Sequence, residues 1–193
     1  MAALSRTAAV VLAAGLSRRY GPASKLYAEL DGKPLALHIA QTVGALPLAR
    51  RFAVCRFGDE ELARMFEREG FTVVINPDSA RGLSSSLAVG VEAVETLPDI
   101  DAVLVCLADM PNVSRRLLQA LVGELEGPAD IVGSATRSGP PTPPAVFGRS
   151  HFEDLMALEG DKGARELLAN ARLVRAMGSE LDDFDTPADF VRS

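Results

Sequence analysis

Ala8-Ala9-Val10-Val11-Leu12-Ala13 runs without a break into Ala14-Gly15-Leu16-Ser17-Arg18-Arg19-Tyr20-Gly21, and Lys25 follows shortly after. The first six residues carry no polar side chain, which predicts a strand buried on both faces rather than one alternating between core and water. The loop that follows is small-residued and armed with Arg18, Arg19 and Lys25. No acidic side chain occurs from Ala14 through Ala28, in a chain whose formal net charge is −6. Gly15 and Gly21 let the backbone bend and approach a ligand closely, and turn N–H groups form anion nests. Local positive charge on such a loop points to a bound phosphate, with a solvated basic turn as the alternative.

Outward from this stretch the pattern repeats. Short apolar runs at 51–56, 72–75, 102–107, 130–135 and 173–176 predict further strands beside 8–13. Helix-period segments fall between them at 35–46, 60–69, 84–97, 114–124 and 162–171, with Asp59 and Asp161 as predicted N-caps of the second and the last. Such alternation predicts an α/β fold with a mainly parallel sheet. The proline-rich segment 139–144 reads as a stiff loop inside one domain spanning 1–193. No apolar stretch approaches the length of a membrane span, and the N-terminus is too short for a signal peptide, so a cytoplasmic setting is expected. The acidic balance argues against a nucleic-acid backbone as the main partner. Cys55 and Cys106 lie in apolar runs without a CxxC neighbour and read as buried thiols.

In parallel α/β sheets, ligands collect outside the carboxyl ends of the strands. That rule selects 14–25, 76–86, 108–111 and the loop after the fifth strand, and an acid-rich run near the C-terminus stands out beside them. Asn76-Pro77…Gly82-Leu83-Ser84-Ser85-Ser86-Leu87 offers hydroxyls and N–H donors at a helix start, for a sugar or base edge or merely for capping. Leu107-Ala108-Asp109-Met110-Pro111 places a carboxylate at a strand end, where hard oxygen suits Mg²⁺ and a turn aspartate is the alternative. Asp182-Asp183-Phe184-Asp185-Thr186-Pro187 crowds acids before a predicted last helix, so that Asp185 is either a second metal carboxylate or part of a solvated turn.

Together these segments resemble the MobA-like nucleotidyltransferase family, which attaches CMP or GMP to the molybdenum cofactor. Its L-A-A-G-x-S-x-R-x-G…K signature resembles residues 12–25, and its N-P…G…S-S-L element resembles Asn76-Pro77, Gly82 and Ser85-Ser86-Leu87. Its L-x-D-M-P element resembles 107–111, G-D-x-G-A-R resembles 160–165, and D-T-P resembles Asp185-Thr186-Pro187. The family often has G-x-P-K where this chain has Gly21-Pro22-Ala23-Ser24-Lys25, one residue more.

The resemblance implies a Rossmann-like, GT-A-type fold. It also implies attack of an acceptor phosphate on the α-phosphate of an NTP, with release of pyrophosphate. It implies that Arg19 and Lys25 hold the triphosphate, that Asp109 and Asp185 hold Mg²⁺, and that Arg19, Lys25 and Asp109 are the catalytic set. The implied nucleotide-binding residues are Leu12, Ala13, Ala14, Gly15, Ser17, Arg19, Lys25, Asn76, Gly82, Ser85 and Ser86, with Ser86 at base or ribose. The L-A-A-G form and the S-S-L element resemble the cytidylyl branch, which makes CTP rather than GTP the expected nucleotide. The implied acceptor is the molybdenum cofactor, with transient contact to a molybdoenzyme or its chaperone. Two rival readings are the same transfer onto a sugar or polyol phosphate, and a nucleotide-binding accessory protein without turnover. The proline segment 137–147 is expected to face the acceptor.

Overall fold

The computed structural model describes residues 4–16, 20, 24–160 and 164–191. Its strands are β1 Thr7–Leu12, β2 Glu29–Leu30, β3 Lys33–Pro34, β4 Arg50–Arg56, β5 Thr72–Asn76, β6 Ala102–Leu107, β7 Ile131–Ala135, β8 Thr142–Gly148 and β9 Arg172–Arg175. Its helices are α1 Leu35–Gly44, α2 Glu60–Arg68, α3 Leu83–Glu95, α4 Arg115–Gly123, α5 Phe152–Met156 and α6 Arg165–Leu168. Seven strands form one sheet in the order β5-β4-β1-β6-β8-β7-β9. All of its pairings are parallel except those of β8, which runs antiparallel to both β6 and β7.

The apolar run at 8–13 is explained by the two layers it separates. Ala9, Val11 and Ala13 pack with Leu35, Ile39, Leu117 and Leu121, whereas Ala8, Val10, Leu12 and Ala14 pack with Leu87, Val91, Phe152 and Leu155. Successive strand side chains point to opposite faces, so a strand covered on both sides is apolar at every position. Gly90 lets α3 approach closely: a Cβ there would stand 2.5 Å from Val10 Cγ1 and 2.9 Å from Val54 Cγ2.

Chain direction sets the location of the cleft. From β1 the chain moves outward through β4 to β5, then crosses back to place β6 on the other side of β1. This reversal opens a crevice at the carboxyl ends of the strands beside β1. The β1–β6 register pairs Leu12 with Leu107, and Ala108 N–H donates to Leu12 O at 3.1 Å, so the loops after these two strands leave the sheet side by side.

Several expectations need correction. The proline segment is not all loop: residues 142–148 form β8, inserted between β6 and β7. Proline cannot donate to a ladder. Pro143 and Pro144 fall where the β7 register shifts and before the β6 pairing begins at Ala145, and Ser134 Oγ donates to Pro144 O at 2.6 Å. The helix expected over 162–171 spans only Arg165–Leu168, and Asp161, Lys162 and Gly163 lie outside the described residues. Asp59 stands at the N-cap of α2 but makes no capping bond. It accepts instead from Arg56 Nε at 3.0 Å and from the Tyr27 hydroxyl. The last helix is a short 3₁₀ turn, Pro187–Val191. The β2–β3 hairpin was not anticipated, although its Asp31-Gly32 turn, at φ 50° and 79°, is a strong hairpin signal. Both cysteines are free and buried. Among the described residues no helix is long and apolar enough to cross a membrane.

Candidate nucleotide-binding site

The crevice is a cavity of about 400 Å³ at the ends of β1 and β6. Its wall takes Leu12, Ala13, Ala14, Gly15 and Leu16 from the first loop, Lys25 and Leu26 from the next turn, and Leu107, Ala108 and Asp109 from the loop after β6. Ser79, Ala80, Gly82, Leu83 and Ser86 come from the approach to α3, and Asp185 from near the C-terminus.

Three charged groups meet at this wall. Lys25 Nζ donates to Asp109 Oδ2 at 2.6 Å and to Asp185 Oδ1 at 2.5 Å, across sequence separations of 84 and 160 residues. The lysine side chain is 9% exposed and the two carboxylates 22% and 18%. Burial pulls the ammonium down, but the carboxylates outweigh it, and Lys25 titrates above its ordinary range. Asp109 Oδ1 is buried and takes no hydrogen bond from the described residues.

Each charged group is held from behind. Ala13 N–H donates to Val54 O at 2.9 Å, tying the first loop to β4. Lys25 opens a 3₁₀ turn, Lys25–Tyr27, whose tyrosine hydroxyl donates to Asp59. Asp185 is delivered by its neighbour: Phe184 is buried at 4% exposure, and its N–H donates to Asp109 O at 2.9 Å. Asp189 Oδ2 then accepts from Asp185 N at 3.0 Å, Thr186 N at 2.7 Å and Thr186 Oγ1 at 2.9 Å, closing the turn beyond the carboxylate. The acidic run is therefore a pinned segment with one apolar anchor between two acids. Asp183, on the other side of that anchor, is raised above the usual carboxylate range by burial, then by the charges of Asp185 and Asp109.

The serine element divides. Ser86 lines the cavity, whereas Asn76 and Ser85 do not. Asn76 is 1% exposed, and its Nδ2 donates to both Ser85 Oγ and Ser86 Oγ at 3.0 Å. Its Oδ1 accepts from Asp78 N–H at 2.9 Å. Asn76 thus clamps the loop to the start of α3 and aims Ser86 from behind. Gly82, at φ 100° and ψ −174°, turns the chain into that helix in a region that favours glycine. Among the described residues nothing lies within 4 Å of a Cβ built on Gly15, which stands at the cavity wall.

The sequence-derived set is largely assembled: Leu12, Ala13, Ala14, Gly15, Lys25, Gly82, Ser86, Asp109 and Asp185 share one wall. Ser17 and Arg19 lie outside the described residues, as do Arg18 and Gly21. Leu16, Ser79, Ala80, Leu83, Leu107 and Ala108 lie in the segments singled out from sequence without being named as contacts, and Leu26 falls outside them. Most of them adjoin a singled-out position, and nothing in their residue types marks them as lining.

Comparison with known proteins agrees with this geometry. Residues 9–176 match the MobA-like NTP transferase domain. A bifunctional protein GlmU from Cupriavidus taiwanensis is 34% identical over 116 residues, which are 60% of this chain and 25% of that protein. A probable molybdenum cofactor guanylyltransferase from Pyrococcus horikoshii is 30% identical over 124 residues, 64% of this chain and 58% of that protein. The chain thus matches a quarter of the length of the first relative and under two thirds of the second. The crystal structure of a homologue of Mycobacterium tuberculosis rv0371c, from Mycobacterium sp. strain JC1, superposes with a TM-score of 0.84 at 28% identity, over 98% of this chain and 96% of that one. With the match running through the glycine loop, the serine element and the Asp109 strand end, this chain belongs to the family of MobA-like NTP transferase domains.

Proposed function

We propose that the chain is a nucleotidyltransferase, built as one NTP transferase domain, that joins CTP to the molybdenum cofactor and releases pyrophosphate. The observation that carries this reading is the meeting of Lys25, Asp109 and Asp185 at a cavity walled by the Leu12–Gly15 loop.

In the reaction an oxygen of the acceptor phosphate forms a bond to the α-phosphorus of the nucleotide. The bond from that phosphorus to the β-bridging oxygen breaks, and pyrophosphate leaves with the electron pair. The nucleophile is already anionic, so no side chain has to remove a proton. Neither histidine lines the cavity; His38 Nε2 lies 2.9 Å from Leu30 O and His151 Nε2 lies 2.9 Å from Ala129 O. Positioning and charge stabilisation are the main tasks left to the protein.

The chain's own groups fit those tasks. Backbone at Ala14 and Gly15 offers phosphate a close approach past nothing larger than a methyl, while Ala13, whose N–H is held by Val54 O, fixes the loop from behind. Ser86, held by Asn76, presents a hydroxyl to base or ribose. Lys25 supplies a mobile cation for the triphosphate, joined by Arg19 on the family pattern. The site also fits magnesium: two carboxylates from separate elements adjoin, and Asp109 Oδ1 is buried without a partner. Asp109 and Asp185 would hold the ion, which would supply charge neutralisation at the α-phosphate and the leaving pyrophosphate.

The L-A-A-G form and the Ser85-Ser86-Leu87 element support CTP, while the guanylyltransferase relative makes GTP the competing nucleotide. A second reading, transfer onto a sugar or polyol phosphate, is favoured by the higher identity to a relative not named for the molybdenum cofactor. Pyrophosphate release measured with each of the four NTPs, with the molybdenum cofactor, with a panel of sugar and polyol phosphates, and with no acceptor, tests both. Release with CTP that requires the cofactor is expected. Release only with another acceptor supports the second reading, and no release with any pairing leaves a binding protein without turnover.

A further inference from the structure

The Lys25 ammonium lies between the two carboxylates that an ion shared by Asp109 and Asp185 would ligate. It contacts one oxygen of each carboxylate at 2.6 and 2.5 Å. An ion that ligates both aspartates draws on the same pair of groups, at the shorter distance of about 2.0–2.1 Å typical of Mg²⁺–oxygen contacts. The site is narrow, with the lysine side chain only 9% exposed and both carboxylates mostly covered. An ammonium and a divalent cation side by side would repel strongly where water screens little.

We propose that Lys25 and the divalent metal are alternative occupants of the Asp109–Asp185 pair, and that the triphosphate makes the exchange favourable by giving the ammonium a new anionic partner. This deepens the nucleotidyltransferase reading and rests on it. Without nucleotide, lysine neutralises one of two carboxylate charges and keeps the pair from repelling itself. Binding of metal alone sets the ion against the ammonium that Asp109 and Asp185 hold, and brings no anion to receive the lysine. When triphosphate arrives, the same side chain turns to phosphate oxygens and the carboxylates are released. Metal and nucleotide then bind with positive coupling, each raising the affinity for the other by the same factor. Lys25 is in this respect a built-in counter-ion that keeps the carboxylates paired but closed to metal until the substrate is present.

The placement of the second aspartate oxygen agrees with this. Asp109 Oδ1 is buried and unpartnered while Oδ2 is taken by Lys25, so the lysine satisfies only half of that carboxylate. A metal has an oxygen to gain there, but it would stand beside the ammonium held on the other oxygen, where water screens their repulsion little.

The test is equilibrium binding of Mn²⁺, followed by its electron paramagnetic resonance signal, with and without a non-hydrolysable CTP analogue. Parent protein should bind Mn²⁺ weakly alone and about tenfold or more tightly with the analogue, within the usual range of coupling. Lys25→Met should bind Mn²⁺ alone more tightly than the parent, by about tenfold, and lose most of the coupling. Lys25→Gln, closer in polarity, is measured alongside, with circular dichroism confirming that each variant is folded. Unchanged Mn²⁺ affinity in the folded variants overturns the exchange, even where the parent still releases pyrophosphate. Failure of parent and variants alike to take up Mn²⁺ with the analogue present overturns both the exchange and the nucleotidyltransferase reading. If neither variant folds, the parent decides: binding of Mn²⁺ alone as tight as binding with the analogue overturns the proposal, and strong coupling supports it.

Discussion

Replacement of Asp109 by alanine should separate stability from chemistry. In the folded protein Asp109 contributes one contact to Lys25, at 2.6 Å, and its other oxygen is buried without a partner. The lysine keeps its 2.5 Å contact to Asp185 after the substitution. A hydrogen bond to a charged group contributes about 1.5–3 kcal/mol, and that is the upper scale of the loss. Two effects offset it. The unpartnered buried oxygen disappears, together with its desolvation cost, and the repulsion between Asp109 and Asp185 disappears with it. The net destabilisation should therefore be about 1 kcal/mol, small beside the 5–15 kcal/mol typical of a folded domain. The chemical loss should be larger. A preorganised group aimed at charge developing in the transition state is worth about 2.7–4 kcal/mol, or about 10²–10³ in kcat. Thermal melting followed by circular dichroism measures the first quantity, and magnesium-dependent pyrophosphate release at saturating nucleotide measures the second. A folded Asp109→Ala protein that releases pyrophosphate at a rate near the parent's would refute the assignment of this carboxylate to the reaction centre. A protein that fails to fold would refute the accounting of the lysine triad.

Three further outcomes are expected. Gly15→Ala places a methyl in open space, so its melting temperature should match the parent while the KM for nucleotide rises about tenfold; an unchanged KM would remove this loop from the phosphate path. Gly90→Ala drives a Cβ to 2.5 Å from Val10 Cγ1 and should cost about 1–3 kcal/mol in urea unfolding, through overpacking of α3 on the sheet. Asp183 binds its proton more tightly folded than unfolded, because of burial and then the charges of Asp185 and Asp109, so its contribution to stability falls as pH rises from its ordinary 3.8 through its raised value. Asp183→Asn should flatten that decline in melting temperature measured against pH, and an identical pH profile would contradict the crowding of charge at this turn.

Much of the fold was legible because both faces of the sheet are covered. A strand packed on two sides must be apolar where it is covered, and residues 8–13, 52–55 and 102–107 are. Helix stripes at Leu117, Leu118 and Leu121 were equally plain, although Ser114, expected as the first residue of that helix, stands outside it as the cap and accepts from Leu117 N–H at 3.1 Å. β8 was hidden by its prolines, which argue against a central strand unless the register shifts there, and a register shift is invisible in sequence. The short helix α5 has too few turns to show a period, whereas the period read over 162–171 overstated α6, which keeps only Arg165–Leu168.

Residue types alone determined that a cationic glycine loop follows a buried strand, that a carboxylate ends another strand, and that acids crowd a turn near the C-terminus. Those are local properties, fixed by which side chains neighbour one another along the chain. Only the tertiary structure decided that Lys25, Asp109 and Asp185 touch, because contact between residues 84 and 160 positions apart depends on strand order, on the β1–β6 register and on Phe184 being drawn into the core. It also decided that Asn76 and Ser85 stand behind the wall while Ser86 faces the cavity, since which of three consecutive serines lines it depends on how the helix start packs, and Ser84 is buried without reaching the cavity.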